Sequence, residues 1–156
     1  QGSWESVPGI PPQTGDHAVA AVSAADAAAF CEWLTSEGLA TGELKPGERY
    51  RLPTAEEWAR AARLPLAMQP DKTNPAPGAA GGPTRGSLPD PNGFHDLHSG
   101  VVEWTASPGP NAGEVLACGT GWADATLSPS AALARPYQGD IRGAALGFRI
   151  VRESNP

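Results

Sequence analysis

The sequence predicts an α+β domain of two helices, several short strands and abundant loop. Three observations lead there. Two segments open with a capping pattern and continue with apolar residues at helical spacing, one from Ser23 and one from Thr54. Short runs at 50–52, 101–105 and 114–118 read as strands. Gly (19) and Pro (17) together exceed a fifth of the 156 residues, which argues for many loops without reaching a disordered composition. A chain of this length is read as a single domain, 1–156, and buries roughly 68–70% of its unfolded surface.

Taken in order, residues 1–16 are rich in Pro and Gly and read as an irregular arm. Residues 18–22 are short and apolar and are expected to form a strand. Ser23 caps the first helix, with Asp26 three residues on as the acidic partner. Ala27, Phe30, Cys31 and Leu34 then share one face, and the helix is expected to end near Gly38. Residues 41–49 are a polar turn. Pro53 stops the strand at 50–52, and Thr54 with Glu57 forms a second capping box. Glu56 and Glu57 suit the positive end of the helix dipole, and Arg60 and Arg63 the negative end. Trp58, Ala61 and Ala62 make its apolar face, and Pro65 follows as a stop. Residues 64–91 read as one long Pro/Gly-rich loop with nothing asking to be helix or strand. Asn92-Gly93 is a turn signal, and Phe94 and Leu97 are the buried candidates after it. Residues 147–152 alternate as a terminal strand would.

A net charge of −6 with no basic stripe argues against nucleic acid. No run of about 18 apolar residues exists to insert in a membrane, and no signal peptide is visible at the start. The expected setting is bacterial cytoplasm or a domain of a larger protein.

Several motifs carry a resemblance. Arg51-Leu52-Pro53-Thr54 followed by Glu57-Trp58 and Ala61-Ala62-Arg63 resembles the central motif of the formylglycine-generating enzyme, or sulfatase-modifying factor, family. Asp26-Ala27 with Phe30-Cys31-Glu32-Trp33-Leu34 resembles the helix that precedes that motif. Asn92, Asp96, Leu97 and Glu103-Trp104-Thr105 fit a further family pattern. Gly119-Thr120-Gly121-Trp122 is similar to the Gly-Gly-Ser-Trp stretch, and Gly147-Phe148-Arg149-Ile150-Val151 to the terminal strand. The resemblance spans residues 16–151 and lacks the family's N-terminal portion. It implies a C-type lectin fold of the formylglycine-generating-enzyme type, with two helices, small twisted antiparallel sheets and much loop. It implies structural roles for Arg51, Pro53, Thr54, Glu57, Trp58, Glu103, Trp104, Phe148 and Arg149.

The departures from the pattern bear on chemistry. Formylglycine-generating members resemble copper oxidases that hold the metal through two cysteines between the Gly-Gly-Ser-Trp motif and the terminal Gly-Phe-Arg. Cu(I) is soft and wants thiolates. Residues 122–147 contain no cysteine. The family's calcium-ligating Asn corresponds to Gly100, which has no side-chain oxygen, while a hard cation wants about six. No cofactor is therefore expected, calcium remaining open through backbone carbonyls, and no metal-ligating or catalytic residue is nominated. Cys31 and Cys118 either form a disulfide, contributing on the order of 4–5 kcal/mol, or are two buried thiols; the apolar helix face around Cys31 favours the latter. His95 and His98 could supply half a metal site, but no third ligand stands out, and they read as surface or second-layer histidines with His17 apart from them.

The expected function is a non-catalytic binding or sensing module for an unknown protein or small molecule. Trp122, Asp124, Arg135, Tyr137 and Arg142 are the ligand-contact candidates, because aromatic and Arg side chains dominate recognition surfaces. Trp122 and Tyr137 read equally well as core. Arg142 and Arg149 read more readily as locks on the C-terminal strand. The alternatives are a family enzyme with other metal chemistry, a variable receptor of the diversity-generating-retroelement type, and a structural domain contacting a neighbour through 64–91.

Overall fold

Ser23 sets the first helix. In a computed structural model of the chain, which describes residues 18–68, 91–97, 100–120 and 132–154, its Oγ accepts from the Asp26 N–H at 3.1 Å while Asp26 accepts from the Ser23 N–H at 2.9 Å. Helix α1 then runs Ala24–Thr41. It passes through Gly38, a full turn beyond the expected end. Gly38 sits inside the helix, where Leu44 packs on it and excludes a side chain: a Cβ there would lie 2.8 Å from Leu44 Cγ. The helix stops at Gly42, which takes the left-handed conformation (φ 78°) that terminates helices.

Strand β1 (Arg49–Arg51) leads to α2 (Ala55–Ala61), capped by Thr54 as expected: its Oγ1 accepts from Glu57 N–H at 3.1 Å, and Glu57 accepts from Thr54 N–H at 2.8 Å. Ala55, Trp58, Ala59 and Ala62 are buried, whereas Ala61 is only partly so. Arg60 closes the last turn and Arg63 lies beyond the helix, left-handed at φ 55°. The expectation of unbroken loop over 64–91 fails at its start, where Leu66–Met68 forms β2; residues 69–90 lie outside the described set, as does the arm 1–16. Then come β3 (Val102–Pro108), β4 (Glu114–Cys118), β5 (Ala132–Gln138), β6 (Leu146–Phe148) and β7 (Val151–Glu153).

β1 and β7 form an antiparallel pair with Tyr50 opposite Arg152. The other strands form one sheet in the order β2-β5-β4-β3-β6. Its centre is antiparallel, but β2 runs parallel to β5 and β6 parallel to β3, so the larger sheet is mixed rather than antiparallel. Both parallel neighbours arrive by long connections, as parallel pairing requires. Pro136 has no N–H to give, and it sits where β5 has run past the end of β2.

Alternation along the strands sends side chains to two cores. Val102, Trp104 and Ala117 pack with Ala27 and Cys31 of α1, and Leu116 and Cys118 pack with Trp58 and Ala59 of α2. The helices thus cover opposite faces of the sheet. Trp104 donates to Val22 O at 2.8 Å and meets Tyr137 edge-on, ring centroids 6.0 Å apart.

Four further expectations change. Residues 18–22 contribute one bridge, Ala20 to Gly147, because Ala21 turns left-handed (φ 57°). Phe30 is not core but 40% exposed, against Trp33 and Phe148 at 5.5 Å each. Leu97 is buried as expected and Phe94 is exposed. The terminal strand is two strands in different sheets, separated at Arg149-Ile150.

Candidate functional site

The motif residues are held together by ion pairs between elements. Arg51 at the end of β1 forks onto Glu57 of α2, Nη1 to Oε2 at 2.6 Å and Nη2 to Oε1 at 2.7 Å, and its Nε reaches Glu153 of β7 at 3.1 Å. The Arg51 guanidinium, helped by the Thr54 N–H, holds the Glu57 carboxyl down at about 2; the pairing raises Arg51 in turn. Such planar two-point pairing is the strong form of the charge-assisted bond.

Glu103 is the buried counterpart. It points from β3 toward α2 and accepts from Trp58 Nε1 at 2.6 Å. Arg149 clamps it from the β6–β7 junction, with Nη2 to Oε1 at 2.6 Å, Nε to Oε2, and a further Nη2 bond to His95 O at 3.4 Å. A carboxylate 5% exposed is tolerable only because both oxygens are paired. The resemblance implied a structural Glu103; the partners found are an indole and a guanidinium. Arg142 is exposed and forks onto Asp26, at 2.8 and 3.0 Å, holding that carboxyl at about 2.

The contact candidates are not gathered on one exposed surface. Arg135 and Tyr137 are buried residues of β5, and Tyr137 belongs to the α1-side core. Arg142 is paired as above. Trp122, Asp124, His17 and His98 lie outside the described residues. Cys31 and Cys118 are free thiols in different cores, not a disulfide. Burial raises both, and Cys118, with Glu103 and Glu56 adding repulsion, reaches about 12, so neither is a ready thiolate.

These residues do not fit the copper that the family resemblance implies. Copper needs two thiolates after the Gly-Gly-Ser-Trp position, and the only thiols are this separated, buried pair. For calcium, Gly100 (φ 95°) supplies no side-chain oxygen. No group of three His, Cys, Asp or Glu among the described residues could hold a metal.

One concavity was not found from the sequence. A groove of about 700 Å³ opens between α1 and β1 and reaches the middle of β3 and the start of β4. It is lined by Ala24, Ala25, Ala28, Cys31, Leu52, Ala106 and Val115, with Glu32, Thr35, Arg49, Tyr50, Arg51, Thr105 and Gly139. Most of its polar groups serve the protein. Thr35 Oγ1 accepts from Tyr50 N–H at 2.8 Å and donates to Cys31 O at 2.8 Å, Thr105 donates to Leu116 O at 2.7 Å, and Tyr50 donates to Glu43 at 2.7 Å. The sequence signal was the alanine run of α1, which reads first as helix propensity.

The chain has counterparts of known structure. A crystal structure of CarF aligns with a TM-score of 0.65 and 22% identity over 90% of this chain and 69% of that one. The structure of PvdO from Pseudomonas aeruginosa aligns with a TM-score of 0.67 and 21% identity over 96% and 70%. At that identity they establish the fold. No curated protein sequence matches the chain. The family described as sulfatase-modifying factor enzyme 1-like domain matches residues 8–76. Residues 8–76 are thus similar to that family, and the described fold is shared with CarF and PvdO.

Proposed function

We propose that this chain is a non-catalytic binding module of the family, working within a larger bacterial protein or system. The observation that supports it is how the family's polar residues are used. Arg51, Glu57, Glu103 and Arg149 are paired to one another, to the backbone or to Trp58, and hold elements together. The copper-holding cysteines have no equivalent between 122 and 147. Recognition is assigned to the stretch 123–143 and its neighbour Trp122, with Trp122, Asp124, Arg135, Tyr137 and Arg142 as the candidates; of these Arg135 and Tyr137 are buried in β5.

The test is copper loading. Purified protein is incubated with Cu(I), desalted and assayed for metal and for oxygen uptake with a cysteine-containing peptide. The expected result is no stoichiometric copper and no uptake above a copper-free control. Stoichiometric copper with peptide-dependent oxygen consumption would overturn the reading.

A further inference from the structure

The flank of α1 that faces the groove is built to leave space. Ala25 and Ala28 are exposed helix positions, open to any side chain, yet carry only a methyl group. Below them Cys31 is 3% exposed. The polar groups that remain are few, since Thr35 is already bonded to the backbone of both α1 and β1. Arg49 is the exception. Among the described residues only its Nε is engaged, to Glu153, and 62% of the side chain is exposed.

The size selects the occupant. Clefts of roughly 300–1,000 Å³ with apolar walls and a few polar groups take small molecules, whereas a stable protein partner needs about 800 Å² from each side. We infer that this groove binds a small molecule with an apolar body and one anionic group, the body against Ala25, Ala28 and Cys31 and the anion at the terminal nitrogens of Arg49. Glu32 lines the groove from α1 and repels an anion, so charge turns the anionic end toward β1. This goes beyond the module reading and stands apart from it: copper loading would overturn that reading and leave dye binding at the groove unaffected.

The probe is 8-anilinonaphthalene-1-sulfonate, an apolar body with a single sulfonate, followed by fluorescence and calorimetric titration. One-to-one saturable binding is expected. Ala28→Trp fills the groove and is expected to weaken binding more than about tenfold. Should Ala28→Trp lower the thermal midpoint, Ala25→Leu on the same flank carries the test. Arg49→Ala is expected to weaken the sulfonate dye about tenfold and to leave the uncharged analogue N-phenyl-1-naphthylamine unchanged. Trp33→Ala, in the exposed Phe30–Trp33–Phe148 cluster, is expected to change neither. No saturable binding, binding that survives the groove-filling variant, or binding lost in Trp33→Ala would each overturn the site. Equal loss of both dyes in Arg49→Ala would overturn the anionic assignment.

Discussion

Glu103 carries the most consequence of any single side chain. It is 5% exposed, and three N–H groups, one from Trp58 of α2 and two from Arg149 at the β6–β7 junction, converge on it. Removing the carboxylate leaves a guanidinium and an indole N–H without their acceptor. Glu103→Ala is expected to cost about 3–5 kcal/mol, read from urea unfolding. Trp58→Phe keeps the packing and loses one bond, about 1 kcal/mol. The double variant is expected to cost less than the sum, because both changes break one network. Additive losses, or a Glu103→Ala cost under about 1 kcal/mol, would mean that the network does not hold the sheet to α2. The sequence identified Glu103 and Arg149 as motif residues but could not pair them. Forty-six positions separate them, and only the parallel register of β6 on β3 brings them together.

Elements with local causes were legible, and elements with distant causes were not. Both helices announce themselves through a hydroxyl and a carboxylate three residues apart. β2 has three residues between Pro65 and a Pro/Gly-rich stretch, and exists because β5 offers it a parallel edge. The capping carboxylates, through their Arg51 and Arg142 partners first and the cap N–H groups second, also set the acid behaviour. Thr54→Ala is expected to cost about 1 kcal/mol. Glu57 falls from an ordinary 4.5 to about 2 and Asp26 from 3.8 to about 2. A folded-state value below the ordinary one means stability present above the ordinary value and lost as pH falls toward the folded one. Stability is therefore expected to decline between about pH 4.5 and 2. Arg51→Met should be less stable than wild type at neutral pH, with the gap closing across that window as Glu57 takes its proton. A gap that stays constant from pH 7 to 2 would show that the Arg51–Glu57 pair contributes nothing to it. About a third of each carboxylate side chain is exposed, so solvent screening keeps the effect modest.

At the scale of the whole molecule, the described fold closes where the segment before α1 meets the chain's last third, and Gly147 is the point of contact. It bridges to Ala20 on one side and pairs with Glu103 of β3 on the other. The glycine is read easily from the sequence as part of the terminal motif, but its reason is not. Its backbone is not left-handed; what excludes a side chain is space. A Cβ would lie 2.3 Å from Val19 O and 2.9 Å from Val101 Cγ2. The first of these is backbone, which cannot rotate away. Gly42 makes the opposite case, left-handed at φ 78° with nothing within 4 Å of a Cβ. Gly42→Ala is expected to cost about 1 kcal/mol, the conformational penalty alone. Gly147→Ala is expected to cost about 3 kcal/mol or more, because it must push the 18–22 segment off β6. Hydrogen exchange separates the two mechanisms. In Gly147→Ala, amides of residues 18–22 and 146–148 should exchange faster while α2 is unchanged; in Gly42→Ala the change should stay at the end of α1. If the Gly147 variant proved the milder of the two, the segment before α1 would not be held by close backbone approach. The closure would then rest on other contacts among the described residues, such as the Arg142–Asp26 fork, the bond from Ala24 N–H to Gly139 O and the packing of Val22 with Leu146.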